Sequence, residues 1–216
     1  IPHIADQAKE LVVFQRTPNF SMPAFNGPAP QYRVERLKAD RATYEREARY
    51  SGTGVPLEDS TVSALSVTQE EAFAMLEAAW QKGELLSLGN TFMDSAINRK
   101  ANDVVAEFMR MKVRSVVKDP EVAELLSPYK HGYGTKRPCM DTGYFETFNK
   151  PHVRLVDLNA QPIRSITETG IDFGNESKEF DAIVYATGFD AMTGAIVNVD
   201  IAGKDGVTLK DKWENG

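Results

Sequence analysis

The sequence predicts an α/β fold in which strand-forming segments at both ends flank a long helical insertion. Three observations carry this: the apolar run LVVFQ at residues 11–15, capped amphipathic helices between about 68 and 128, and the apolar run FDAIVYATGFD at 180–190. The first segment, IPHIADQAKE, spaces Ile1, Ile4 and Ala8 like the second half of a helix packed on a sheet. It runs into LVVFQRTP, a buried strand that stops on a cation, Arg16. In a dinucleotide-binding βαβ unit the second strand ends beside the adenosine ribose, where an acidic residue selects NAD and an arginine accommodates the NADP 2′-phosphate. Arg16 suits NADP, and the first strand and glycine turn of such a unit are expected upstream of Ile1.

NFSMPAFNGPAPQ (19–31) is dense in Pro, Gly and Asn and reads as a connecting loop. Residues 32–48 are highly charged and predict a surface helix, which SGTGVPLEDS interrupts. Gly52-Thr53-Gly54 follows no strand and Pro56 stands where a helix should open, so this is read as a break rather than a phosphate loop. Thr68-Gln69-Glu70-Glu71 is a capping box ahead of AFAMLEAAW. From about Met93 to Val117, Ile97, Ala101, Val105, Phe108 and Val116 recur at helical intervals. Asp119-Pro120 then opens a short helix, with proline at an early position where its missing N–H costs nothing. After residue 129 the texture changes to Gly, Tyr, Pro and Thr, followed by the strand-like runs VRLVDL, IRSIT and IDF. FDAIVYATGFD is expected to be the strongest strand of this half.

The 216 residues, 42% hydrophobic and 26% charged, have an ordinary folded composition. A net charge of -6 argues against general nucleic-acid binding. The single Cys139 excludes an intrachain disulfide and fits a reducing cytoplasm. Three scattered histidines give no metal-ligand spacing, so no metal site is expected. No apolar run approaches the roughly 20 residues needed to cross a bilayer, so no membrane span is expected. Asn175-Glu176-Ser177 reads as turn chemistry. Cys139 is expected to be a small buried filler, and Trp80 and Trp213 core or interface aromatics.

Two segments have the texture of a site. YATGFD (185–190) ends a strand-like run on small residues that permit close backbone approach. GTKRPCMDTGYFETFNK (134–150) sets Lys136 and Arg137 in a Gly/Pro-framed segment of the kind that carries function on a scaffold.

LVVFQRTPNFSMPAFNGP, STVSALSV, KRPCMDTGYFETFN, the run beginning VRLVD, and FDAIVYATGFDAMTGA resemble, in that order, the type I Baeyer-Villiger monooxygenases acting on cyclic and aromatic ketones. The likeness covers nearly the whole chain. It implies part of a flavoprotein with two dinucleotide-binding domains, one for FAD and one for NADP. The expected division is a partial NADP-binding domain at 1–29, the helical insertion at 30–128, the return of the NADP-binding domain at 129–189, and the start of the returning FAD-binding domain at 190–216. Matched residue by residue, Arg16 and Thr17 take the positions that hold the NADP 2′-phosphate, and Lys136 that of a second cation there. Arg137 matches the catalytic arginine beside the flavin, and Thr187 and Gly188 fall near the cofactors. The reaction implied uses NADPH, FAD and O2 to form a flavin peroxide and inserts one oxygen beside the carbonyl of a small-molecule ketone, giving an ester or lactone. The family's two glycine loops and its FxGxxxHxxxW fingerprint do not occur in the sequence. The chain is therefore expected to be an internal fragment of a cytoplasmic enzyme, inactive alone, whose N- and C-terminal segments are missing. The alternatives are a two-dinucleotide flavoprotein with another task, such as N- or S-oxygenation or disulfide reduction, and a non-catalytic nucleotide-binding or interaction module.

Overall fold

In the computed structural model the described residues are 1–52, 54–56, 60–83, 85–188, 190 and 193–214, with the side chains of Arg33 and Leu85 left aside. Thr53, of the Gly-Thr-Gly break, and Phe189, of the YATGFD segment, lie outside them. The elements, in chain order, are α1 (Pro2–Ala5), β1 (Leu11–Gln15), β2 (Ser21–Pro23), α2 (Gln31–Ala39), α3 (Arg41–Tyr50), α4 (Gln69–Gln81), α5 (Leu85–Gly89), α6 (Arg99–Val116), α7 (Pro120–Leu126), β3 (Cys139–Asp141), α8 (Tyr144–Thr147), β4 (Val153–Asp157), β5 (Ile163–Ile166), β6 (Gly170–Phe173), β7 (Glu176–Glu179), α9 (Gly194–Val197) and α10 (Leu209–Lys212). They divide into two units, residues 1–162 and 163–216.

In the first unit, β1 pairs in parallel with β4 in the register Leu11↔Val153 through Gln15↔Asp157. Parallel neighbours need a crossover connection. Here it is the whole stretch 16–152, which makes a second parallel pair of its own, β2 with β3. The helices between form two apolar cores joined by α6. Toward its N-terminus, Ala101, Val105, Phe108 and Met109 pack with Leu76 and Trp80 of α4, Leu88 of α5, and Phe20, Met22 and Tyr133. Toward its C-terminus, Val113 packs with Ala123 and Leu126 of α7 and Phe145 of α8, against Val13, Val153 and Leu155 of the β1–β4 pair. The helix starts follow the sequence. Thr68 and Glu71 make the reciprocal capping box of α4, Asn98 caps α6, and Asp119 caps α7 with Pro120 in its first turn.

Several expectations are corrected. Residues 19–31 are not a plain loop: β2 forms because Phe20 and Met22, 1% and 0% exposed, fill the first core beside Tyr133. The charged stretch 32–48 is two helices, broken at Asp40, whose carboxylate accepts the Thr43 N–H to cap the second. Ile97 lies outside α6, before its cap, and is 88% exposed. In α1 the buried residue is Ala5, while Ile1 and Ile4 are exposed.

The second unit is an antiparallel meander, β5-β6-β7, with Ile171 and Phe173 buried. Asn175 lies in the turn joining β6 to β7, and Ser177 is in β7. FDAIVYATGFD is not a strand. Its described residues form no ladder, and Val184 and Tyr185 are 76% and 68% exposed. A strand is defined by a partner that accepts and donates across the ladder, and composition alone cannot supply one.

Candidate functional site

β1 delivers Arg16 and Thr17 to the carboxyl end of the parallel pair, the side on which open α/β sheets bind ligands. Three hydrogen bonds fix the backbone there. The Leu158 N–H donates to the Gln15 carbonyl (2.9 Å), the Asn159 side-chain amide donates to the Arg16 carbonyl (2.7 Å), and the Gln15 side-chain amide reaches the Leu125 carbonyl of α7 (2.9 Å). The nearest carboxylate in this turn, Asp157, accepts from the Asn159 backbone and side chain. Arg16 is exposed and forms no ion pair among the described residues.

Lys136 and Arg137 stand exposed between Tyr133 and β3. The link from this loop to the end of β1 is Asn19. Its amide nitrogen donates to the Arg137 carbonyl at 3.0 Å and lies 3.7 Å from Cys139 Sγ, and its Oδ1 is 3.2 Å from His131 Nε2. Because Asn19 is three residues from Arg16, the two segments are tied within about 11 Å of chain. Burial, and then the charge of Lys136, push His131 below the ordinary imidazole range. The neutral ring donates from Nε2 to Asn19, leaving its buried Nδ1 without a partner among the described residues. Across the loop, Asp141 is engaged by neutral donors, the Ser21 hydroxyl at 2.5 Å and the Tyr144 N–H at 3.2 Å. Lys136 and Arg137 form no ion pair among the described residues.

The first unit carries Arg16, Thr17, Lys136 and Arg137, with the Arg137 carbonyl tied through Asn19 to the segment that follows β1. Thr187 and Gly188 belong to the second unit and are exposed, outside any helix or strand, with Gly188 at φ 83°, a conformation that favours glycine. Cys139 is exposed rather than a buried filler, because β3 is short and turns its first side chain outward. Trp80 is a core residue and Trp213 is 38% exposed. Among the described residues no cluster of His, Cys, Asp and Glu could hold a metal, and no helix is long and apolar enough to cross a membrane. Asn19 and Asn102, which organise the loop, do not stand out in the sequence. The only signal was an asparagine within α6, where it is a poor helix former.

The geometry suits an anion carrying two or more phosphate oxygens: an arginine fork and a lysine point charge whose neighbouring carboxylates are already occupied. No protein-family model matches the chain. A Baeyer-Villiger monooxygenase of Pseudooceanicola batsensis is 37% identical over 211 residues, 97% of this chain and 38% of that protein. The chain is homologous to the Baeyer-Villiger monooxygenases. Cyclohexanone 1,2-monooxygenase of Acinetobacter sp is 40% identical over 221 residues, covering all of this chain and 40% of its own length. Phenazine N-monooxygenase PhzNO1 of Lysobacter antibioticus is 36% identical, covering 96% and 38%. The crystal structure of OTEMO in complex with FAD and NADP matches all of this chain with a TM-score of 0.92 at 38% identity, over 40% of its own chain. The chain thus has the α/β fold of the corresponding part of a two-dinucleotide flavoprotein, and it spans about 40% of the length of the curated relatives it matches.

Proposed function

We propose that the protein carrying this chain is an FAD- and NADPH-dependent ketone monooxygenase that inserts one oxygen of O2 beside a small-molecule carbonyl to give an ester or lactone. In this reading residues 1–29 and 129–189 are parts of its NADP-binding domain, 30–128 the helical insertion, and 190–216 the start of the returning FAD-binding domain, in a cytoplasmic enzyme. The observation that carries it is the trio Arg16, Lys136 and Arg137. Its members are exposed and without ion pairs among the described residues, and the Arg137 carbonyl is tied to Asn19, three residues after Arg16.

Bound NADPH and FAD would supply the reducing electrons and the oxygen activation. Arg16 would hold the NADP 2′-phosphate, with Thr17 adding a hydroxyl donor and Lys136 a compact positive charge. Arg137 supplies a planar positive charge that would stabilise negative charge developing on the reacting oxygens. Thr187 and Gly188 would take part in cofactor binding in this reading, the glycine permitting close backbone approach.

Removing Arg137 by Arg137→Ala should cost on the order of 3 kcal/mol of transition-state stabilisation, about a hundredfold or more in rate. The check is lactone formation from a cyclic ketone with NADPH and O2. A rate near wild type would exclude the role. A second reading, N-oxygenation, is favoured by the phenazine N-monooxygenase relative. Offering a ketone and an aromatic N-heterocycle side by side separates the two: N-oxide without lactone supports the second. NADP binding without flavin retention would instead mark a non-catalytic module.

A further inference from the structure

Resting on that reading of Lys136 and Arg137, we propose that Asn102, in the helical insertion, is a positioning residue that sets the loop presenting both cations. Asn102 is in the first turn of α6, more than thirty residues from that loop in sequence, yet its side chain engages both backbone groups of one loop residue. Its Oδ1 accepts the Tyr133 N–H at 2.9 Å. Its amide nitrogen donates to the Tyr133 carbonyl and to the Ser95 carbonyl, each at 2.9 Å. A side chain that satisfies the N–H and the C=O of the same residue acts as a neighbouring strand would, fixing both the position and the plane of the peptide.

Two further observations show that the loop is built around this contact. A Cβ on Gly132 would lie 2.5 Å from Asn102 Oδ1, so the approach requires glycine there. The Tyr133 hydroxyl has no hydrogen-bond partner among the described residues, although the ring is only 7% exposed. The ring is held by apolar contact, edge-on to Phe20 at 5.5 Å, and the polar anchoring of Tyr133 is through its backbone.

From Tyr133 the constraint passes to the cations over a short, closed path. Tyr133 and Lys136 form a parallel β-bridge, and the Thr135 N–H and hydroxyl both donate to the Gly132 carbonyl. Asn19 holds the Arg137 carbonyl at the far end. The Lys136-Arg137 pair is thus strung between two asparagines, one after β1 and one in the insertion. The insertion, which carries none of the cations, fixes where they point.

The test uses the cofactor-loaded protein that carries this chain, with wild type, Asn102→Asp, Asn102→Ala and Val105→Ala compared. Asn102→Asp keeps the size and the acceptor for Tyr133 N–H but turns a carboxylate oxygen toward two carbonyls. Val105→Ala, at a fully buried site on the same helix, loosens the core and leaves every hydrogen bond of the clamp in place. The readouts are Kd for NADP+, kcat and KM for NADPH, and Tm. Asn102→Asp should raise Kd and KM about tenfold and lower kcat about tenfold, as expected when charged groups move by a fraction of an ångström or more. Val105→Ala should lower Tm alone. Asn102→Ala, a better helix former, gives the same split if the aspartate variant does not fold. An Asn102 series that moves Tm and nothing else overturns the positioning role. Wild type that binds no NADP+ overturns the reading of the cations instead, and the role falls with it.

Discussion

LVVFQ and AIVYA, residues 11–15 and 182–186, are the two most strand-like runs in the chain, and each leads straight into candidate cofactor residues, Arg16-Thr17 and Thr187-Gly188. The first is a strand, paired residue for residue with Val153–Asp157 and backed by the core under α6 and α7. The second forms no ladder, and Val184 is 76% exposed. The same apolar, β-branched texture thus has two outcomes, and the difference is the partner. A strand's hydrogen bonds and half of its packing come from another segment, so propensity gives permission and pairing gives structure.

The largest effect that could break the comparison is a carboxylate placed in each run's setting. Val156→Asp, at a site in β4 that is 2% exposed, buries a charge with no partner. It should cost about 3 kcal/mol or more in urea unfolding of the 216-residue chain. Val184→Asp should stay within about 0.5 kcal/mol. Equal losses would mean that 182–186 is paired after all.

What the sequence disclosed follows the same division. Elements whose cause is local were legible: the Thr68–Glu71 box, the Asp119-Pro120 start, and the strand-like run VRLVDL. Elements whose cause is remote were not. β2 hides in a Pro- and Gly-rich stretch because its reason to exist is the core beneath Phe20 and Met22. Ile97 fits the helical period but precedes the cap at Asn98, so the period carried it one turn too far. At the site, the cations could be found by type and motif. The asparagines that hold their loop could not, since Asn19 and Asn102 act on backbone atoms more than thirty residues away.

A smaller effect sharpens the packed side of the comparison. Asn98→Ala removes the acceptor for the Lys100 and Ala101 N–H groups at the start of α6, the helix that joins both cores. It should cost about 1 kcal/mol, read as a fall in the urea midpoint at unchanged m-value. No change would show that α6 is held by packing alone.

The finest effect concerns proton linkage. His131 has its pKa lowered by burial and by Lys136, so the folded state favours the neutral ring. Its stabilising contribution is therefore complete above the unfolded value near 6.5 and is lost as pH falls through the lower, folded value. Lys136→Met should raise the His131 pKa toward 6.5 in an NMR titration. An unmoved pKa would put the Lys136 ammonium away from His131.

The proposed function joins the end of β1 and the Lys136-Arg137 loop in one phosphate-reading surface. The most direct test is the NADPH-over-NADH preference, as the ratio of kcat/KM values, in the protein carrying this chain and in its Arg16→Gln and Lys136→Met variants. Wild type should prefer NADPH, and the preference should drop about tenfold or more in each variant, almost entirely through KM for NADPH, since charge-assisted phosphate contacts are lost. A preference left intact by both substitutions would contradict it.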